Sequence, residues 1–336
     1  MRARLSRPSG RIGGLAAAGV ALVAAIVLPR VLYSVLALDI LLWGLFAVSI
    51  DLLLGFGGLL SFGHAAFWGV AGYTAALAAR ELDAAYPIAA LAGVVAAAAL
   101  AVPLGFLSLR RRGIYFAMVT LAFAQMLFYV ANEARAITGG ENGLQGVPRT
   151  FPGLRLGPSL SFYYAALPLI VLGYLAAYRI VRSPFGHVLV SIRDNEARAQ
   201  ALGYDTARYK LLAFVLSAAL AGLAGSLFAL GHGFASLDLL HWGTSGQVVL
   251  MAVLGGLGTL WGGILGAALF VLLRDSLSTL TDASGVVTGL VFMVIVLWLR
   301  RGLWPTLGDL VDRALSRGRS REAVPRVGDV PGPQIR

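Results

Sequence analysis

The chain contains no cysteine in its 336 residues, which excludes disulfides, thiolate metal sites and cysteine nucleophiles. Charge is also scarce: 13% of residues are Asp, Glu, Lys or Arg, against roughly 25% in a soluble domain. Lysine is reduced to Lys210 alone, and histidine to four residues. A phosphate-binding loop of the form G-x-x-x-x-G-K-[ST] places a lysine on the nucleotide. Lys210 stands in "RYKLL" with no glycine at the required spacing, so ATP cannot be held that way. "HEXXH" is absent, and His64, His187, His232 and His241 show no metal-ligand spacing with carboxylates. "GTSG" at 243–246 has the outline of an intramembrane serine protease motif, but no histidine follows His241 to serve as the base.

What remains is apolar. Hydrophobic residues make up 58% of the chain, and the mean hydropathy is +0.81. Apolar runs of bilayer-spanning length recur along nearly the whole sequence, which predicts an all-α polytopic membrane protein with no soluble domain of ordinary size. Ten candidate spans can be drawn: 12–28, 31–54, 64–79, 87–109, 114–131, 161–181, 211–231, 246–258, 260–280 and 285–299. The runs at 64–79 and 246–258 are short and glycine-rich, so the expected count is eight to ten, with some helices broken or re-entrant. Such segments survive at membrane depth only when packed inside protein. The first run does not read as a cleavable leader, because it is long and lacks a small-residue cleavage site.

The net charge of +11 is distributed in clusters. Arginines concentrate at 2–11, 110–112, 179–208 and 300–336, in connections and tails rather than in the apolar runs. This is the bias of the positive-inside rule, and it replaces a nucleic-acid reading. It divides the chain into a basic cytoplasmic N-terminal tail (1–11), a membrane domain (12–300) and a partly disordered cytoplasmic tail (301–336). Within the membrane domain, 132–160 is external and 182–210 is a cytoplasmic loop. Both termini fall inside.

A few ionisable residues lie at or near membrane depth: Asp39, Asp51, His64, Arg274 and Asp275. Asp39, Asp51, Arg274 and Asp275 sit near span ends and are read as structural. His64 in "SFGHAAFWG" follows Ser61 by three residues, so one helix would place both on a shared face, lining a pathway. "GGLLSFG" (57–63) and "GGLGTLWG" (255–262) echo one another, and glycine-interrupted segments in two halves can mark a transporter's central site. The external "TGGENGLQGVP" is a shaped loop rather than a span.

The segment "SIRDNEARAQALGYD" (191–205) carries five charges in this apolar chain. Ser191 with Asp194 has the form of a capping box, the alanines favour helix, and Gly203 is placed to stop it. A helix of about three turns is expected, too short to be stable alone in water. It needs a surface to pack on, either anionic lipid or a groove on another protein.

Several linked stretches resemble one family: "GFGGLLSFGHAAFWGVAGYTAAL" (55–77), "GIYFAMVTLAFAQML" (113–127), "TGGENGLQG" (138–146), "SPFGHVLVSIRDNEARAQALGYDTARYKLLAFVLSAALAGLAGSLFAL" (183–230) and "VVLMAVLGGLGTLWGGILGAAL" (248–269). They are similar to the LivM-type permeases of bacterial branched-chain amino acid ABC importers, in order, over roughly 35–300. The resemblance implies an inner-membrane permease for leucine, isoleucine and valine that binds no cofactor itself. It would pair with a LivH-like permease, two ATPase subunits and a periplasmic or lipid-anchored binding protein. It also implies that the charged loop is the helix coupling to the ATPase, with Asp194, Asn195, Glu196, Ala197, Ala201 and Gly203 as its contact residues. Ser61, Gly63, His64, Thr120, Gly255, Gly256 and Thr259 would lie along the translocation pathway. The chain departs from the wider importer pattern in having E-A-R rather than E-A-A, with Gly203 seven residues after Glu196. Urea, other amino acids and small carboxylates are the alternative cargoes within this family. An ion-coupled carrier is a further alternative.

Overall fold

A computed structural model describes residues 23–151, 154–155, 159–278, 284–298 and 302–306. It is mostly helical. Helix α1 (23–31) leads into α2 (Ser34–Asp51), which continues as a five-residue π-helical turn, Leu52–Phe56. There follow α3 (His64–Glu81), α4 (Tyr86–Ser108), α5 (Ile114–Glu133) and the single turn α6 (Arg135–Thr138). After α7 (Ser159–Val181) come α8 (Pro184–Asp194), α9 (Glu196–Ala201) and α10 (Thr206–His232). The described chain then forms α11 (Trp242–Gly255), α12 (Trp261–Ser278) and α13 (Ser284–Trp298).

Six described helices are long and apolar enough to cross a membrane: α2 with its π turn, α4, α5, α7, α10 and α12. The expected count of eight to ten is therefore not reached by length and hydropathy. The shortfall lies in part at the two segments already marked as short, 64–79 and 246–258. Helix α3 has 18 residues, about 27 Å at 1.5 Å per residue, and α11 has 14, about 21 Å. Helix α11 falls well below the ~30 Å hydrocarbon thickness, whereas α3 equals α12 in length and falls short in hydropathy, carrying His64, Arg80 and Glu81 within its 18 residues. Helix α13 is likewise short, and most of the first expected span, 12–28, lies outside the described residues, as do the tails at 1–11 and 307–336.

Helix α2 is the centre. Of its apolar window 89% is buried, against 28% for α5. Helices α7, α10 and α12 pack around it, α3 and α4 join α10, and α11 joins α12. Small residues set these distances, because lipid offers no hydrophobic drive to bring helices together and close van der Waals packing replaces it. A Cβ on Gly225 of α10 would collide with the Trp68 carbonyl of α3, and one on Gly222 would come within 2.7 Å of Ala97 of α4. Alanine and glycine along "SAALAGLAGSL" thus let three helices share one contact line.

The two ends of this bundle differ. At one end, Arg112 in the α4–α5 turn meets the charged loop. At the other, the four-glycine loop folds over α10. Its strand β1 (Leu144–Gln145) pairs antiparallel with β4 (Phe234–Ala235), and the Arg149 guanidinium donates to the Leu230 and Gly231 carbonyls at 3.3 and 2.5 Å, satisfying groups a helix end leaves open. A second two-residue pair, β2 (Thr150–Phe151) with β3 (Leu154–Arg155), completes the loop.

Candidate functional site

The charged loop is built differently from the sequence expectation. Ser191 and Asp194 do not open one helix. Both belong to the last turn of α8, and the Ser191 hydroxyl donates back to the His187 carbonyl at 2.9 Å. The chain breaks at Asn195, whose extended backbone and side-chain oxygen cap a separate helix by accepting the Arg198 N–H at 2.9 Å. Helix α9 is therefore six residues long rather than three turns. Gly203, at φ +88°, turns the chain out of it, as expected of a residue without a Cβ penalty. Asp205 then caps α10 through the Arg208 N–H at 3.2 Å.

Glu196 faces its own protein. Lys210 Nζ lies 2.7 Å from its carboxylate, the Thr206 hydroxyl donates to it at 3.2 Å, and Arg112 stands at 4.0 Å. Gln200 donates to the same Thr206 oxygen at 2.9 Å. Partial burial alone would push the Glu196 carboxyl up. The Lys210 hydrogen bond and charge, with Arg112 and Thr206, outweigh that, so the carboxyl titrates below its usual range. Ala199 turns inward and is buried, while Ala197, Arg198, Ala201 and Leu202 are exposed, Leu202 at 72%. Ala197, Ala201 and Leu202 thus form a small, uncovered apolar face. Of the expected contact residues, Asp194 sits on α8 paired to Arg193 at 3.0 Å, and Asn195 is committed to its cap.

Arg193 ties this loop to the membrane helices by donating to the Gly55 carbonyl in the π turn below Asp51. Asp51 is fully buried. Its carboxylate accepts the Gly258 N–H at 2.6 Å and the Leu260 N–H at 3.0 Å, holding the turn between α11 and α12. That turn needs holding. Gly256, Gly258 and Leu260 have φ of +108°, +75° and +57°, the last costly for a residue with a branched side chain. The Thr259 hydroxyl adds a bond to the Gly256 carbonyl at 2.6 Å and accepts the Gly262 N–H at 3.1 Å. The two echoing glycine segments thus meet only in part: the residues just before 57–63 contact the core of 255–262.

The remaining pathway candidates form a second polar cluster. Ser61 and His64 do not share a helical face, because α3 begins at His64 and Ser61 precedes it, its oxygen taking the Gly63 N–H at 3.2 Å. His64 is fully buried, with Nε2 at 2.6 Å from the Ser217 hydroxyl of α10. Ser217 has one hydrogen and gives it to the Ser49 carbonyl at 2.5 Å, so His64 Nε2–H must be the donor. Ser245, the serine of "GTSG", accepts the Ala65 N–H at 2.8 Å and caps α3 from α11. Thr120 of α5 accepts the Phe62 N–H at 3.2 Å. Gly63, Thr120, Phe67, Leu104, Ser108 and Phe214 border a narrow apolar cleft. The site residues therefore divide into a loop group, a turn group at Asp51 and a helix-start group at His64.

Asp39 and Asp275, two of the other charges near span ends, also have partners. Asp39 pairs with His232 at 3.3 Å, and Asp275 accepts from the Tyr33 hydroxyl. No group of three His, Asp or Glu gathers among the described residues. Sequence reasoning missed Arg193, Lys210 and Ser217. Lys210 carried a signal, as the chain's single lysine, 14 residues beyond Glu196 in the same charged loop region. Ser217 carried none within "AFVLSAAL".

Comparison with known proteins gives a consistent result. The family model described as "Branched-chain amino acid transport system / permease component" matches residues 32–297. The high-affinity branched-chain amino acid transport system permease protein LivM of Salmonella typhimurium is 32% identical over 283 residues, covering 77% of this chain and 66% of the relative. The protein of the same description from Escherichia coli aligns with the same identity and coverage. A probable LivM from Methanocaldococcus jannaschii is 26% identical over 213 residues, 59% of this chain and 60% of that protein. The chain thus spans about two thirds or less of these relatives' length. No solved structure matches.

Proposed function

The chain belongs to the family of branched-chain amino acid transport permease components, and from that premise we propose that it is the membrane subunit of an importer driven by a separate ATPase. Its cargo would be leucine, isoleucine or valine, entering the cytoplasm by alternating access. The observation that carries the coupling is the α9 surface. In a chain without an ATP-binding loop, a six-residue helix is pinned from behind by Glu196–Lys210 and presents Ala197, Ala201 and Leu202 uncovered. A short helix of this kind gains its stability, and passes on motion, by docking into a groove of another protein.

The basic end, with Arg110 to Arg112 and the 182–210 loop, faces the cytoplasm in this reading, following the positive-inside bias. The loop closed by β1 and β4 then faces outward, where a substrate-binding protein would dock. A LivH-like second permease would complete the membrane part, and two ATPase subunits the cytoplasmic part, in a bacterial inner membrane. Cargo would pass near the cleft at Gly63 and Thr120 and the turn at Gly255, Gly256 and Thr259. ATP binding can bias the two access states only through contacts that differ between them, which α9 docking supplies.

The test is reconstitution with the co-expressed ATPase, second permease and binding protein in liposomes. ATP-dependent accumulation of radiolabelled leucine is expected. Uptake by this chain alone under an ion gradient, with no ATPase, would establish a secondary carrier instead. Transport of urea or a small carboxylate in place of leucine would revise the cargo alone.

A further inference from the structure

Helix α9 carries no side chain to the Asp51 group. The polar route from the charged loop to that group runs through Arg193, the penultimate residue of α8. Its guanidinium is gripped on two sides. Nη2 and Nε donate to Asp194 Oδ1 at 3.0 and 3.2 Å, and Nη1 donates to the Gly55 carbonyl. Its stem lies along Gly58, where an added Cβ would stand 2.7 Å from Arg193 Cγ. Gly55 in turn lies against Asp51 and Gly258: a Cβ placed on it would overlap the Asp51 carboxylate and the Gly258 nitrogen. The Asp51 carboxylate holds Gly258 and Leu260 by their N–H groups. The α8–α9 elbow is thus joined to the π turn by the Arg193–Gly55 hydrogen bond, and the Asp51 carboxylate to the α11–α12 turn by two more, with Gly55 packed closely against Asp51 between them.

The parts on this route are suited to move together. A π-helical turn is a local departure from the α-helix that relaxes by changing one hydrogen-bond register. The 256–260 turn has three residues at positive φ and takes its shape from Asp51 and Thr259 rather than from a helix ladder. The fork of an arginine fixes direction as well as distance, which a flexible ammonium does not.

We infer that Arg193 is a positioning residue for transport: it carries displacement of the α8–α9 elbow through Gly55 to Asp51 and so to the Gly256–Leu260 turn. This rests on the reading of α9 as the ATPase-docking helix. It adds that docking and transmission are separable, with Leu202 serving the first and Arg193 the second.

The chain's lack of cysteine permits a direct test. Cysteines placed at Leu257, exposed in the turn, and Leu107, exposed on α4, carry spin labels, and their separation is measured in the assembled complex with and without ATP and vanadate. With Arg193 present, nucleotide shifts the distance. In Arg193→Gln the shift is lost while the ATPase still co-purifies, and in Arg193→Lys, which keeps charge but not the fork, it is reduced. A full shift in either variant overturns the inference, as does a parent complex in which nucleotide leaves the distance unchanged. The lysine variant decides the matter if the glutamine variant does not assemble. A parent chain that never binds an ATPase sinks the docking reading itself, a result distinct from loss of the shift.

Discussion

Lys210 Nζ sits 2.7 Å from the Glu196 carboxylate and turns that residue away from the surface its helix presents. In a loop read as a partner contact, the most prominent acid is an internal staple between α9 and the first turns of α10. The residues left for a partner are smaller and mostly apolar.

This pair makes loop order depend on pH in a definite direction. The folded Glu196 pKa is depressed below its unfolded value. Its contribution is therefore present above the unfolded carboxylate pKa and is lost as pH falls through the lower folded value. Protease cleavage within 195–205 should stay constant near neutrality and rise only under acid conditions. Lys210→Met should raise cleavage already at neutral pH, at a cost of about 1 kcal/mol, the upper range for a partly exposed pair. Unchanged cleavage in Lys210→Met would show that the staple does not order the loop.

The exposed face of α9 should control assembly. Leu202→Glu places a charge where an apolar contact is expected. ATPase affinity should fall by about 30-fold or more, the effect of losing about 2 kcal/mol at an interface centre. Glu196→Gln should change affinity far less, since its carboxylate does not face the partner. Co-purification and a binding titration of both variants separate these outcomes, and equal losses would refute the assignment of roles.

How much of this was readable beforehand varies with the kind of interaction. Long apolar runs located the spans, because burying backbone polar groups in lipid leaves few alternatives to helix. The two short spans were visible from their glycines. The loop's position was visible from its charge, but not its break at Asn195. The chain instead continues α8 through Ser191 to Asp194, with Ile192 buried in its last turn, and caps α9 at Asn195. Asp51 read as an ordinary span-end charge because its partners are backbone N–H groups 207 and 209 residues away, which leave no side-chain pattern. The same reasoning hides Asp39–His232, whose members look unrelated until α2 and α10 are packed.

Asp51 should matter more to stability than a span-end charge would. Asp51→Ala leaves the Gly258 and Leu260 N–H groups without acceptors, and Leu260 keeps its positive φ. Loss of two buried bonds to a charged acceptor should cost about 3 kcal/mol or more. Asp51→Asn retains one oxygen and should lose less. Thermal unfolding in detergent, compared with Asp275→Asn near the end of α12, checks the ranking. A Tm for Asp51→Ala equal to that of Asp275→Asn would remove the clamp from the account.

The His64–Ser217 contact separates a structural role from a pathway role. Ser217→Ala removes the acceptor of His64 Nε2–H, leaving a buried donor unsatisfied at a cost of about 1–3 kcal/mol. The Ser49 carbonyl loses its hydroxyl donor at the same time. If the contact fixes only how α3, α10 and α2 meet, Ser217→Ala should lower Tm while the protein that remains folded transports leucine with an unchanged KM. If His64 lines the pathway, release of its ring should also alter KM. Because His64 is fully buried, the expected result is the first, and a KM change at constant folded amount would restore His64 to the pathway.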